Sequence, residues 1–145
     1  MTAHARATPS APPRAVWMLL GVAVAVSVVH YADNVLAYDA YPQPDREPAP
    51  SPSRAVVAIS WFGFTAIALA GAVLLRRGHA VAAAACLAAY SGSGLVGLGH
   101  YAVEGATGMP WWRQAHIVAD ILCGAALLAV ALWLARRRPL TEIRA

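Results

Sequence analysis

Three apolar stretches of the sequence each carry a histidine with a carboxylate one helical turn away. They read His30-Tyr-Ala-Asp33, His100-Tyr-Ala-Val-Glu104 and His116-Ile-Val-Ala-Asp120. Spacings of three and four place both members of a pair on one face of an α-helix. Ionisable side chains are rare inside hydrocarbon because the medium penalises charge. Three such pairs predict one polar intramembrane site assembled from three helices.

Asp33, Glu104 and Asp120 cannot all stay ionised close together in a low dielectric without compensation. Three outcomes follow. A cation neutralises them, which makes His30, Asp33, His100, Glu104, His116 and Asp120 candidate metal ligands. Imidazole and carboxylate together suit zinc, iron or manganese, and helical bundles build such sites from facing helices. Alternatively the carboxylates protonate, or they pair with imidazolium. Either condition yields an acid–base couple, with His100, Glu104 and Asp120 as candidate catalytic groups and histidine as the shuttle. Such a couple suits isomerisation or hydration of a lipid double bond. A third class is purely structural: interhelical hydrogen bonds that fix register in a subunit of a larger membrane complex or in a homo-oligomer. Haem ligated by two histidines leaves the carboxylates without a role and is disfavoured.

The elements that must carry these residues are membrane spans. The chain has 145 residues, 59% of them hydrophobic and 12% charged, with a mean hydropathy of +0.54. A soluble domain carries about 25% charged residues. One span needs about 20 residues, so the length accommodates four. The apolar runs predict an all-α four-helix bundle with spans at about 15–36, 55–75, 80–103 and 111–135. Residues 1–14 and 136–145 read as cytoplasmic tails and 37–54 as an outer, proline-rich loop long enough to act as a lid. A signal peptide is disfavoured because the first apolar run is long and ends in His30, Asp33 and Asn34. The net charge of +4 comes entirely from arginine. Arginines cluster at alternate ends of the runs, which predicts both termini in the cytoplasm of a bacterial inner or plasma membrane. They form no basic stripe interleaved with aromatics, which excludes a nucleic-acid partner. At about 1.5 Å rise per residue, all six site residues fall in the outer half of the bilayer.

Secondary candidates surround the pairs. Ser27 and Cys123 extend the site faces inward, and Ser93 and Gly97 share the His100 face. Gly92, Gly94, Gly97 and Gly99 suit close helix packing or a ligand cavity. Trp61 reads as an interfacial anchor or a wall of the site, Asn34 as a terminal hydrogen-bonding group. Tyr31 and Tyr101 are each positioned to donate a hydrogen bond. Arg113 reads either as a solvated rim charge or as a partner of Glu104. Cys86 and Cys123 lack CxxC spacing and read as small buried hydrophobes.

The element His100-Tyr-Ala-Val-Glu104-Gly105 is similar to an HxxxEG motif of sterol isomerases. With His30 and Asp33 in span one and Tyr41-Pro42 in the loop after it, the layout resembles the emopamil-binding-protein (EXPERA domain) superfamily of small membrane proteins with four or five spans. The resemblance implies His100 and Glu104 as proton-transfer groups. It also implies a sterol-like or terpenoid ligand in the glycine-lined region.

Overall fold

The computed structural model describes residues 13–43 and 52–136. The two tails and the centre of the proline-rich loop, where parts of the expectations above fall, lie outside the described residues. Four α-helices are present: α1 (Arg14–Leu36), α2 (Arg54–Arg76), α3 (Ala80–Leu95) and α4 (Trp111–Arg136). Short 3-10 segments follow α1 at Tyr38–Ala40, extend α3 over Val96–Ala102, and bridge to α4 at Ala106–Gly108. Four stretches, Arg14–Leu36, Arg54–Arg76, Ala80–Ala102 and Trp111–Arg136, are long and apolar enough to cross a membrane. The chain is an all-α integral membrane protein, a four-helix bundle.

Local chemistry accounts for the ends. Ser53 caps α2 by accepting from the Val56 amide at 3.3 Å, filling one of the orphan donors of a first turn. Gly78, at φ +79°, reverses the chain after α2. The amides of His79 and Gly78 bond back to the carbonyls of Leu74 and Leu75 at 2.9 and 3.2 Å, a Schellman closure that needs the left-handed conformation glycine tolerates. Before α4, the Gln114 amide side chain donates to the carbonyls of Thr107 and Met109 and pins the connection.

The helices pack sequentially, α1 on α2, α2 on α3, α3 on α4, and α4 back on α1. One core cluster is built largely of alanine and leucine, including Ala23, Ala68, Ala83, Leu87, Leu127 and Ala131. Helix association in lipid lacks a hydrophobic driving force and relies on close packing, which small residues permit. The α3–α4 seam illustrates this. A Cβ on Gly94 would collide with the Asp120 carbonyl oxygen, and one on Gly124 would come within 2.7 Å of the Ser91 carbonyl oxygen. Both glycines therefore set how near the Asp120 backbone comes to α3.

The third span departs from the sequence expectation in one respect. It stops being α-helical at Leu95 and continues as a 3-10 segment to Ala102. Glycines at 92, 94, 97 and 99 give this stretch low helix propensity. The i, i+4 geometry that would put His100 and Glu104 on one face is thereby lost.

Gly94→Ala and Gly124→Ala should each destabilise the bundle by about 1–3 kcal/mol, the usual cost of overpacking. Gly63→Ala, where an added Cβ meets nothing within 4 Å, should not. Thermal unfolding in detergent decides; equal midpoints for all three variants would mean the seam is not tightly packed.

Candidate functional site

Five of the six expected side chains converge at one end of the bundle. His30 and Asp33 come from α1, His116 and Asp120 from α4, and His100 from the 3-10 segment. Their partners are not the ones the spacing suggests. His30 Nδ1 bonds Asp120 Oδ2 across the bundle at 2.7 Å, with both side chains almost fully buried. The Nε2 atoms of His30 and His100 lie 3.4 Å apart. Asn34 Nδ2 sits 3.1 Å from the same His100 nitrogen. His116 Nε2 approaches Asp33 Oδ2 at 3.3 Å. Side chains at i and i+3 or i+4 point side by side toward the bundle axis. The groups each one faces therefore belong to other helices.

Glu104 does not join. It is exposed on the turn that ends at Gly105 (φ +82°), and among the described residues it makes no hydrogen bond or ion pair. The expected His100–Glu104 pairing fails because the α-helix has already ended.

Arg113, from the first turn of α4, joins the site at Asp33. Its Nε donates to Asp33 Oδ2 at 2.8 Å and its Nη2 to Asp33 Oδ1 at 3.3 Å. Such a two-pronged pairing matches the planar guanidinium fork. Tyr41 donates its hydroxyl to Asp33 Oδ2 at 2.6 Å, and the guanidinium stacks 4.8 Å from the Tyr41 ring centroid. Burial, followed by the hydrogen bond to Asp33 and its charge, pushes the Tyr41 hydroxyl above its ordinary pKa, so it remains a donor. Arg113 Nη1 also reaches the Ala40 carbonyl at 3.4 Å. The start of the outer loop is thus fastened to the site. The sequence reading of Arg113 as a rim charge or a Glu104 partner is corrected: Arg113 is buried and belongs to Asp33. Its signal in the sequence was a lone arginine in the first turn of an apolar helix.

Three imidazoles stand in a row. The His30 ring lies 5.5 Å from both the His100 and the His116 rings, centroid to centroid. Both ring nitrogens of His116 are buried without a hydrogen-bond partner, because the Asp33 contact is close but not aligned.

Beside the row lies a cavity of about 370 Å³, bordered by His30, Asn34, His100, Tyr41, Val57 and Phe64 among others. Its walls are mainly apolar. A Cβ on Gly97 would be tight against Ile121 Cγ1 at 3.1 Å and in ordinary contact with His30 Cε1 at 3.5 Å, and Gly99 borders the cavity. Trp61 does not line it; its indole nitrogen lies 3.3 Å from Ser27 Oγ, which also contacts Tyr90 Oη at 3.3 Å. Tyr31 borders the cavity with its ring 5.6 Å from that of His30, and it donates to the Ser93 carbonyl at 3.2 Å. The Tyr101 hydroxyl is buried without a partner. Cys86 and Cys123 are free thiols.

Among the described residues, no group of three or more histidine, cysteine, aspartate or glutamate side chains is arranged to hold a metal ion. No protein-family model, curated protein or solved structure matches the chain.

Removing Arg113 alone leaves the half-buried Asp33 without its guanidinium partner, which costs up to about 3 kcal/mol. Arg113→Met should therefore lower the unfolding midpoint sharply, and the double change Asp33→Asn with Arg113→Met should recover most of the loss. A double variant no more stable than Arg113→Met would show that the pair does not carry this energy.

Proposed function

We propose that this protein binds an uncharged, largely apolar small molecule within the membrane and moves a proton to and from it through His100. The single observation that supports this is the alignment of Asp120, His30 and His100, with contacts of 2.7 and 3.4 Å, ending at the wall of an apolar cavity. A volume of about 370 Å³ falls in the range of small-molecule pockets, about 300–1,000 Å³. No side chain bordering the cavity carries a fixed charge, which favours a neutral ligand.

Each residue then has a role. Asp120 accepts from His30 Nδ1, fixing the ring so that Nε2 faces His100. If His30 also donates from Nε2, it is an imidazolium balanced by Asp120; if His100 donates instead, His30 is neutral. A proton moving between these two nitrogens converts one arrangement into the other. His100 is the group that touches the ligand, and Asn34 orients it. Isomerisation of a carbon–carbon double bond suits such a couple: one alkene carbon gains a proton, the carbon beyond the other end of the double bond loses one, and the site ends as it began. The resemblance to sterol isomerases points the same way for His100. Here Asp120 acting through His30, in place of Glu104, supplies the carboxylate. The arginines Arg14, Arg76, Arg77 and Arg136, at the end of the bundle away from the site, support the topology with both termini cytoplasmic in a bacterial inner or plasma membrane.

A metal site is the second reading, favoured by one distance. Two nitrogens bound to one tetrahedral ion at about 2.0–2.1 Å are about 3.3 Å apart, close to the 3.4 Å between His30 and His100 Nε2. Such an ion would take His30 and His100 and complete its shell with solvent or ligand oxygen. Arg113 beside Asp33 argues against the larger ligand set.

Mass spectrometry of organic extracts from the detergent-purified protein should show a neutral apolar ligand at near one equivalent. Gly99→Leu, which fills the cavity, should abolish it, and His100→Ala should retain it. Absence of any such ligand, together with no saturable binding of sterol or terpenoid probes, would overturn the proposal. A transition metal at one equivalent by elemental analysis, lost in His100→Ala, would replace it with the second reading.

A further inference from the structure

We infer that the end of the bundle away from the histidines holds an anionic phospholipid, its phosphate bound by Arg14, Arg76 and Arg77 at the seam between α1 and α2. The core places these groups together: Val16 of α1, Leu75 of α2 and Leu134 of α4 belong to one buried cluster. Arg14, Arg76 and Arg136, close to them in sequence, therefore share that end of the bundle, and all three are exposed. Arg77, also exposed, follows Arg76 in the tight turn that Gly78 closes at φ +79°.

Among the described residues the charge at this end is uncompensated. Their acidic side chains are Asp33, Asp39, Glu104 and Asp120, and all of these lie in the opposite half of the bundle. The arginines that form ion pairs are Arg54 and Arg113, at that opposite end. Neighbouring like charges repel one another, and an anion set between them relieves the repulsion. Arg76 is also held in position. Its Cζ lies 5.9 Å from the centre of the Trp17 ring of α1, a cation–π contact across the seam. That contact fixes the guanidinium without using a carboxylate, and its fork of N–H donors suits a phosphate. Arg14 stands one turn before Trp17 on the same face of α1.

The surface beside the cations selects a lipid over a free anion. Met18 and Val22 continue the Arg14 stripe of α1 toward the membrane centre, and Val73 and Leu69 continue the Arg76 stripe of α2. All four are exposed. A phospholipid matches both features at once, with its headgroup on the arginines and its acyl chains along the two apolar stripes. Basic clusters next to a membrane span recognise anionic headgroups in this way. A choline or ethanolamine headgroup brings its own cation and restores the repulsion, so a headgroup with net negative charge is favoured.

The test is the affinity of the detergent-solubilised full-length protein for phosphatidylglycerol, measured by native mass spectrometry with phosphatidylcholine and inorganic phosphate as competitors. The wild-type protein should retain phosphatidylglycerol in preference to phosphatidylcholine, and inorganic phosphate should not displace it. One arginine beside an anionic headgroup changes affinity about fivefold. Arg76→Gln should therefore weaken binding by that factor, and Arg14→Gln combined with Arg76→Gln by about 25-fold. Arg54→Gln, which removes the same charge from the opposite end, should leave the affinity unchanged. Equal retention of the two lipids would overturn the inference. Displacement by inorganic phosphate would also overturn it, because the arginines would then bind a small anion without need of acyl chains. So would equal losses in Arg54→Gln and Arg76→Gln, since net charge and not this seam would then attract the lipid.

Discussion

Two carboxylates are held inside an apolar bundle, and both must be neutralised where they stand. Bringing a bare carboxylate out of water is too costly for a small membrane protein to tolerate. Asp33 meets the requirement with a permanent cation, Arg113, and Asp120 with the imidazole of His30. These two pairings run between α1 and α4 in opposite senses. Asp33 on α1 takes Arg113 from α4, and Asp120 on α4 takes His30 from α1. The two helices are cross-linked twice, which fixes their rotation and depth more firmly than alanine and leucine packing alone.

The two pairings differ in what they allow. An arginine does not release its proton under any ordinary condition, so the Asp33 pair is a fixed anchor. It also fastens Tyr41 and Ala40, and through them the start of the outer loop. An imidazole exchanges its proton readily, so the Asp120 pair is the adjustable one, and it is the pair that faces His100 and the cavity. One carboxylate thus has a guanidinium as its partner and the other an imidazole.

Close helix contact is what makes this geometry attainable. Gly94 and Gly124 let α3 and α4 approach nearly backbone to backbone, and Gly97 leaves space for the Ile121 side chain of α4. Gly94 and Gly97, with Gly92 and Gly99, loosen the third span into a 3-10 segment after Leu95. That change carries His100 to the cavity wall and leaves Glu104 on an exposed turn. One local feature, a run of residues with poor helix propensity, both completes the site and removes a member expected of it.

The sequence by itself determined the four apolar helices and placed six ionisable residues at one depth, of which His30, Asp33, His100, His116 and Asp120 gather at one end and Glu104 does not. Hydropathy and helical rise are local properties, and a site confined to one depth shows in the positions of its residues along each run. Which group pairs with which was decided only by the tertiary structure. Helical spacing states which side chains share a face, but an inward-pointing side chain bonds whatever the opposite helix presents. That depends on helix rotation and on close contact at single glycines. For the same reason Arg113 and Tyr41 were not recognisable as site members from their positions alone. Each lies in an ordinary place for its type, at a helix start and in a loop, and only the folded chain brings both onto Asp33.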